Sequence, residues 1–379
     1  MNDSFALALA GGGTRGAYQV GACKAINEAG PEIKAVTGTS IGALNGCFAA
    51  TDDIKLLEEL YDNIEPNQII DTSLDLDFSK DIFYISNLLK MSGEFILSGG
   101  YKITPLRSLI EANLDLDKLY SSPIDYGMVT FEIGAVQTVQ KFRDEIPKDQ
   151  LIDYVLASAS IPLFFASQKI GSKRYADGGI ADNLPVNMLI DKGYKNIIAI
   201  DLHGIGVIPP VKKNDVYIKT IRPTQSLGGL MDFNKERMKR NKHMGYLDAL
   251  KALGKLQGEM YFFQPGDYMK LLTVFNVRTL IALERAASVF EIEKYKIYDS
   301  DKFLEDVYRK FSAEKKSKAS SNRKRVLVRM VEQAKSSPVH TTGIESAFFT
   351  DLPEAAKALI ELERYMTADR SIRLSADHP

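Results

Sequence analysis

Apolar positions fall in short runs separated by glycine-rich or charged stretches. Residues 5–10 (FALALA) are an unbroken apolar run of the buried-strand type, leading into Gly11-Gly12-Gly13-Thr14-Arg15-Gly16. From residue 17 to 28, Val20, Ala22, Cys23 and Ile26 recur at helical spacing, and Gly30-Pro31 stops the helix. Residues 35–37 predict a second strand that enters Gly38. A strand, a helix and a strand in this span match the βαβ unit, about 30 or more residues long, so the pattern predicts a parallel sheet with covering helices. In such sheets chemistry gathers at the carboxyl ends of the strands.

Further along, a helix is expected from Thr104-Pro105 to Asn113, and residues 126–132 and 136–142 alternate as two strands across a Gly134 turn. Residues 149–159 read as a helix ending before Ile161-Pro162; residues 196–202 read as a fully buried strand and 216–221 as another. Beyond about residue 225 the period becomes helical. Leu280, Leu283, Ala287 and Phe290 share one face, as do Ala355, Leu359, Leu362 and Met366. The expected organisation is an α/β domain over residues 1–225, interrupted by an acidic insertion at 52–103, then a mostly helical region over 226–379.

Charge sharpens this division. The 379 residues carry 48 Lys+Arg against 49 Asp+Glu, a net charge of −1, which excludes a polycation built for nucleic acid. Locally the balance is uneven: residues 52–81 sum to −8, residues 212–243 to +6 and residues 309–329 to +8, the last around a loop expected at 318–322. The longest uncharged stretch, residues 35–51, is short for a bilayer span and broken by glycines, so no transmembrane helix is expected. The amino-terminal stretch lacks a basic region and a long apolar segment, which argues against a signal peptide. Cys23 and Cys47 form no CxxC or His-rich cluster, so neither a disulfide framework nor a metal site is expected, and a reducing cytoplasm fits.

Two glycine motifs carry chemistry. Gly11–Gly16 fits GxGxxG after a strand, yet the second strand ends in Gly38-Thr39-Ser40 where a dinucleotide fold places an acidic residue. What remains is a run of backbone N–H groups suited to a phosphate or a developing oxyanion. Gly38-Thr39-Ser40-Ile41-Gly42 fits GxSxG between a strand and a helix, the pattern of a nucleophile elbow that exposes Ser40 and offers the Ile41 N–H to an oxyanion. The same residues also fit a plain strand-to-helix turn with an N-cap serine. A serine nucleophile needs a base. Of His203, His243, His340 and His378, only His203 follows a strand, completing the order Ser, Asp, His; the other candidate is Asp177, in an Asp177-Gly178-Gly179 turn amid apolar sequence that would raise its proton affinity.

Together GGGTRG (11–16), GTSIG (38–42), DGG (177–179) and the NLPV that follows (183–186) resemble the patatin-like phospholipases, over roughly residues 5–225. The resemblance implies a three-layer α/β/α sandwich with a mainly parallel sheet. It also implies Ser40 as nucleophile and Asp177 as its partner in a Ser-Asp dyad. Gly11, Gly12 and Gly13 would form the oxyanion hole, and Arg15 would steady that loop or a lipid phosphate. The implied activity is calcium-independent hydrolysis of fatty acyl esters of phospholipids or lysophospholipids, with no cofactor. A soluble esterase or thioesterase with a Ser40–Asp177–His203 triad, and a non-catalytic lipid-binding protein, are the other readings. For a lipid substrate the basic segments predict peripheral, salt-sensitive association of a cytoplasmic protein with anionic membranes.

Overall fold

The computed structural model describes residues 4–70, 100–162, 164–212, 215–316, 322–336 and 352–376. The chain divides into two compact units, Met1–Leu253 and Gly254–Pro379.

The first unit is built on an eight-stranded sheet: β1 (Phe5–Leu9), β2 (Ile33–Thr39), β3 (Asp125–Glu132), β4 (Gln137–Phe142), β5 (Gln168–Ile170), β6 (Lys173–Asp177), β7 (Asn196–Ile200) and β8 (Tyr217–Ile221). The order is β5-β6-β3-β2-β1-β7-β8, with β4 hairpinned onto β3. The stretch β3-β2-β1-β7-β8 is parallel, and β4, β5 and β6 run antiparallel to their neighbours. Alternation on β2 shows which helix covers which face. Val36 points toward Gly46 of α2 (Ile41–Ala50), whereas the Thr37 hydroxyl donates to the Pro185 carbonyl at the start of α7 (Val186–Lys192), 3.0 Å away. The sheet therefore lies between helical layers, as the resemblance implied.

Strands β5 and β6 and helix α7 had no signal in the apolar periodicity: two of the five residues of β6, Lys173 and Arg174, face solvent, and α7 is only seven residues long. The remaining helices of this unit are α1 (Ala17–Ala29), α3 (Ile54–Asn63), α4 (Thr104–Asn113), α5 (Leu116–Ser121), α6 (Leu151–Ser158) and α8 (Lys235–Ala252).

Helix α8 places the boundary after Leu253, where the sequence pattern suggested residue 225. It crosses α1 so closely that a Cβ at Gly21 would lie 1.8 Å from the Lys242 carbonyl oxygen, and one at Gly245 1.9 Å from that of Tyr18. The buried Tyr18 hydroxyl donates to Asp248 at 2.8 Å across the same crossing. Helix–helix packing of this kind depends on small residues on two segments far apart in sequence, which a local pattern does not link.

The described part of the acidic insertion pairs with basic residues of this unit. Glu58 pairs with Lys24, Asp53 with Lys118, Asp62 with Lys242 and Glu65 with Lys235. Residues 71–99 of that insertion lie outside the described residues.

The second unit comprises α9 (Pro265–Val274), α10 (Val277–Val289), α11 (Ser300–Lys316), α12 (Asn322–Ser336) and α13 (Leu352–Ala376), with a two-residue parallel pair of β9 (Phe262–Phe263) and β10 (Ile297–Tyr298). Both apolar faces anticipated from the sequence point into its core, with Leu280, Leu283, Ala287, Phe290, Ala355, Leu359 and Leu362 buried and Met366 packed against them. The fully buried Glu284 side chain accepts the N–H groups of Glu259, Met260 and Tyr261. Of the expected loop at 318–322, residues 318–321 lie outside the described residues and Asn322 opens α12.

Candidate active site

Sheet register brings Ser40 and Asp177 together. Strand β3 pairs parallel with β2 through Asp125–Val129 and antiparallel with β6 through Thr130–Glu132. Thr39 is thus the partner of Val129 and Asp177 the partner of Thr130, on successive rungs of one strand. Ser40 follows Thr39 directly, so the two candidate residues emerge side by side at the carboxyl end of the parallel strands.

Ser40 sits at a sharp turn with φ 56° and ψ −127°, a conformation that costs a non-glycine residue of order 1–3 kcal/mol. Its surroundings hold it there. The Ser40 N–H donates to the Ser158 hydroxyl at 2.9 Å, and the Ser158 hydroxyl donates to the Val129 carbonyl at 2.7 Å. The elbow also needs close backbone passage: a Cβ at Gly38 would lie 2.2 Å from the Gly42 carbonyl oxygen, and one at Gly42 2.3 Å from that of Leu9. Helix α2 starts immediately after Ser40, so its positive end lies at the turn.

Asp177 is buried at the end of β6. Its Oδ1 accepts the Gly179 N–H at 2.7 Å, and its own N–H donates to the Ser160 carbonyl at 2.9 Å. Its Oδ2 is buried with no hydrogen-bond partner among the described residues. Burial pushes the carboxyl up to about 6, against the pull of the nearby Ser40 hydroxyl and the Gly179 N–H. Ser40 thus lies close enough to favour the charged carboxylate without completing a hydrogen bond of normal geometry to it.

The glycine loop lies alongside. A Cβ at Gly11 would come within 3.1 Å of the Ser40 Cβ. The Gly11 N–H already donates to the Asn183 carbonyl at 3.0 Å, while the Asn183 side chain donates back to the Gly11 carbonyl at 3.3 Å. The N–H groups of Gly12, Gly13 and Ile41 have no partner among the described residues. Behind the loop, Gln19 donates to the Ala10 carbonyl at 2.7 Å and accepts from Asn45, whose carbonyl oxygen accepts the Tyr61 hydroxyl. This buried relay fixes the end of β1. The Arg15 guanidinium donates to the Gly228 and His203 carbonyls at 2.9 and 2.8 Å, tying the loop to two neighbouring segments.

The histidines fall elsewhere. The half-exposed His203 ring has its Nε2 4.0 Å from Asp201 Oδ2, and no hydrogen bond or ion pair among the described residues joins it to Ser40 or Asp177. His243 belongs to α8, and His340 and His378 lie outside the described residues. Sequence reasoning missed Ser158, which has no motif of its own; its one cue is its place just ahead of Ile161-Pro162. Asn183 was visible only as part of NLPV.

Above Ser40 opens an apolar cavity. Its walls include Leu44, Phe48, Leu57, Ile110, Phe165 and Met238; among the described residues that line it, only Thr14, Ser40 and Tyr61 contribute hydroxyl groups and none is charged. Among the described residues no cluster of His, Cys, Asp or Glu is placed to hold a metal ion. A buried serine, an unpartnered carboxylate oxygen, free backbone N–H groups and an uncharged slot can together support acyl transfer from a long-chain ester.

The sequence model of the family described as Patatin-like phospholipase matches residues 7–190. Lysophospholipase NTE1 of Candida albicans is 26% identical over 215 residues, which cover 56% of this chain and 14% of that protein. The human protein named 1-acylglycerol-3-phosphate O-acyltransferase PNPLA3 is 26% identical over 187 residues, 48% of this chain and 35% of its own length. The chain therefore matches only a minor part of either relative. The crystal structure of VipD from Legionella pneumophila aligns with 97% of this chain and 80% of its own at 15% identity and a TM-score of 0.46.

Proposed function

Residues 7–190 belong to the patatin-like phospholipase family, and from that premise we propose that the chain is a serine acyl hydrolase cleaving fatty acyl esters of phospholipids or lysophospholipids. The observation that carries this reading is that Thr39, directly before Ser40, and Asp177 pair with successive residues of β3, beneath a cavity lined by no charged side chain among the described residues. In the proposed reaction the Ser40 Oγ attacks the ester carbonyl while Asp177 takes its proton. With the carboxyl held at about 6, Asp177 is ionised at neutral pH yet far more basic than an exposed aspartate. The tetrahedral oxyanion is received by the N–H groups of Gly12, Gly13 and Ile41, each worth on the order of 3 kcal/mol of barrier when well aimed.

Gly11 acts differently in this reading. Its N–H is committed to Asn183, so it sets the loop's position while its neighbours donate. Asp177 returns its proton to the leaving alcohol oxygen, that of a lysolipid or a glycerophosphodiester; water, deprotonated by Asp177, then attacks the acyl carbon, and Asp177 hands the proton to the Ser40 Oγ as the fatty acid departs. Arg15 is a positioning residue for the glycine loop, and Gly38, Gly42, Gly178 and Gly179 shape the two turns.

The triad reading loses support from His203, which is joined to Asp201. The substrate places the enzyme at a membrane surface, approached peripherally from the cytoplasm; no helix among the described residues is long and apolar enough to cross a membrane. The test is lipid mass spectrometry of vesicles incubated with wild type and Ser40→Ala, together with fluorophosphonate labelling. Wild type should release fatty acid and take the label, and Ser40→Ala should do neither. Equal labelling of the two proteins would refute the assignment.

A further inference from the structure

The basic segments are poor candidates for the membrane contact. Lys212 pairs with Asp191, Arg222 with Asp201, Lys235 with Glu65, Arg237 with Asp232 and Lys242 with Asp62. In the second unit Lys315 pairs with Glu332 and Glu363, Lys324 with Glu291 and Arg309 with Asp306. Much of the local positive charge is neutralised by its own neighbours.

A different surface stands out. The segment 204–211 (GIGVIPPV) contains no charged residue, and four of its side chains face solvent: Ile205 is 80% exposed, with Val207, Ile208 and Val211 about half exposed. Exposed aliphatic side chains in one short run call for an explanation. The backbone beneath them is firmly held. The Val207 N–H donates to the Gly179 carbonyl at 3.0 Å and its carbonyl accepts the Asn183 N–H at 2.7 Å. The Asn187 side chain donates to the Pro210 carbonyl and accepts the Lys212 N–H, both at 2.9 Å, and Arg15 holds the His203 carbonyl. Rigid backbone with outward apolar side chains makes a spur.

The spur rests on the candidate site. A Cβ at Gly204 would meet the Gly11 carbonyl oxygen at 2.2 Å, and one at Gly206 the Gly179 carbonyl oxygen at 2.5 Å. It therefore spans the two loops that flank Ser40 and Asp177, and Ile180, next to Gly179, adds a fifth exposed aliphatic side chain. Five side chains fall well short of the ~1,200–2,000 Å² that a stable protein–protein interface buries. They suffice for shallow entry into a lipid surface, where each buried methylene contributes about 0.8 kcal/mol.

We propose that the 204–211 spur is the membrane-docking element: Ile205, Val207 and Ile208 enter the lipid interface and lay the Gly11 and Gly179 loops against it. This rests on the lipid-hydrolase reading for its purpose and not for its test. The chain contains no tryptophan, so Ile205→Trp in a Ser40→Ala background is a unique reporter that needs no catalysis, and Val136→Trp, exposed elsewhere at 74%, is its control.

With neutral phosphatidylcholine vesicles, the Ile205→Trp emission should shift to shorter wavelength and stay shifted at high salt, while the Val136→Trp emission stays put. Co-sedimentation of the Ile205→Ser, Ile208→Ser double variant should fall on the order of tenfold. In the wild-type background the same double variant should hydrolyse a dissolved short-chain ester at the normal rate. The proposal is overturned by an unmoved Ile205→Trp emission, by a blue shift that follows protein concentration without vesicles and so marks a second copy as the occupant, or by binding that disappears with salt. Loss of dissolved-ester activity in the double variant would also overturn it, by making the spur structural. Absence of esterase activity in wild type, with vesicle binding intact, would count against the hydrolase reading alone.

Discussion

The Ser158 hydroxyl grips the backbone of Ser40, accepting its N–H at 2.9 Å and donating its own O–H to the Val129 carbonyl at 2.7 Å. Both serines are buried. Ser158 is therefore a positioning residue that offsets the strain of the Ser40 turn. Ser158→Ala leaves a buried N–H unsatisfied, at a cost of about 1–3 kcal/mol in stability. Misplacing the nucleophile should also slow fluorophosphonate labelling and lower kcat on the order of 10²-fold with little change in KM. Thermal denaturation and steady-state kinetics check both, and Ser158→Thr, which keeps the hydroxyl, should restore much of the rate.

Asp177→Asn separates activity from stability. Losing the base should lower kcat by at least about 10³. Stability should move the other way. The Asp177 carboxyl binds its proton more tightly folded, at about 6, than at its ordinary 3.8. Its contribution to stability is thus complete below pH 3.8 and is lost as pH rises through about 6. Relative to wild type, Asp177→Asn should gain up to about 3 kcal/mol above pH 7 and nothing near pH 3, as read from denaturant unfolding at the two pH values.

The same carboxyl fixes the pH profile. Activity on a dissolved ester should rise with pH along a limb near 6, as Asp177 ionises. A histidine base would give a limb in nearly the same place, so the profile must be repeated in His203→Ala. The limb should persist there with kcat within about tenfold of wild type; its disappearance would restore the triad.

The apolar cavity sets chain length. Ile110 and Leu57 lie on its wall, away from the Ser40 turn in sequence. Ile110→Trp should lower kcat/KM for long-chain esters at least tenfold more than for a short-chain ester, at an overpacking cost of about 1–3 kcal/mol. An equal fall for both chain lengths would mean that the acyl chain lies elsewhere.

Calcium should be dispensable, because the proposed charge stabilisation comes from backbone N–H groups. Hydrolysis is expected to continue unchanged in excess chelator, as fatty acid release would report.

How far the chain alone determines this protein can be read from particular residues. The apolar runs at the start of the chain gave β1, α1, β2 and the Ser40 elbow, because strand and helix periods are local and GxSxG states its own steric requirement: the close contacts at Gly38 and Gly42 follow from the motif. The helical faces of the second unit were equally legible from Leu280 to Phe290 and from Ala355 to Met366. Tertiary structure alone decided the rest. The meeting of Ser40 with Asp177 depends on β3 changing from a parallel to an antiparallel partner between Val129 and Thr130, a matter of register between segments more than 40 residues apart. Whether Gly11 donates or positions turned on a bond to Asn183, and whether charged segments face solvent turned on pairs such as Lys242 with Asp62. Local patterns record which surfaces a segment must bury; only the folded chain decides what each is buried against.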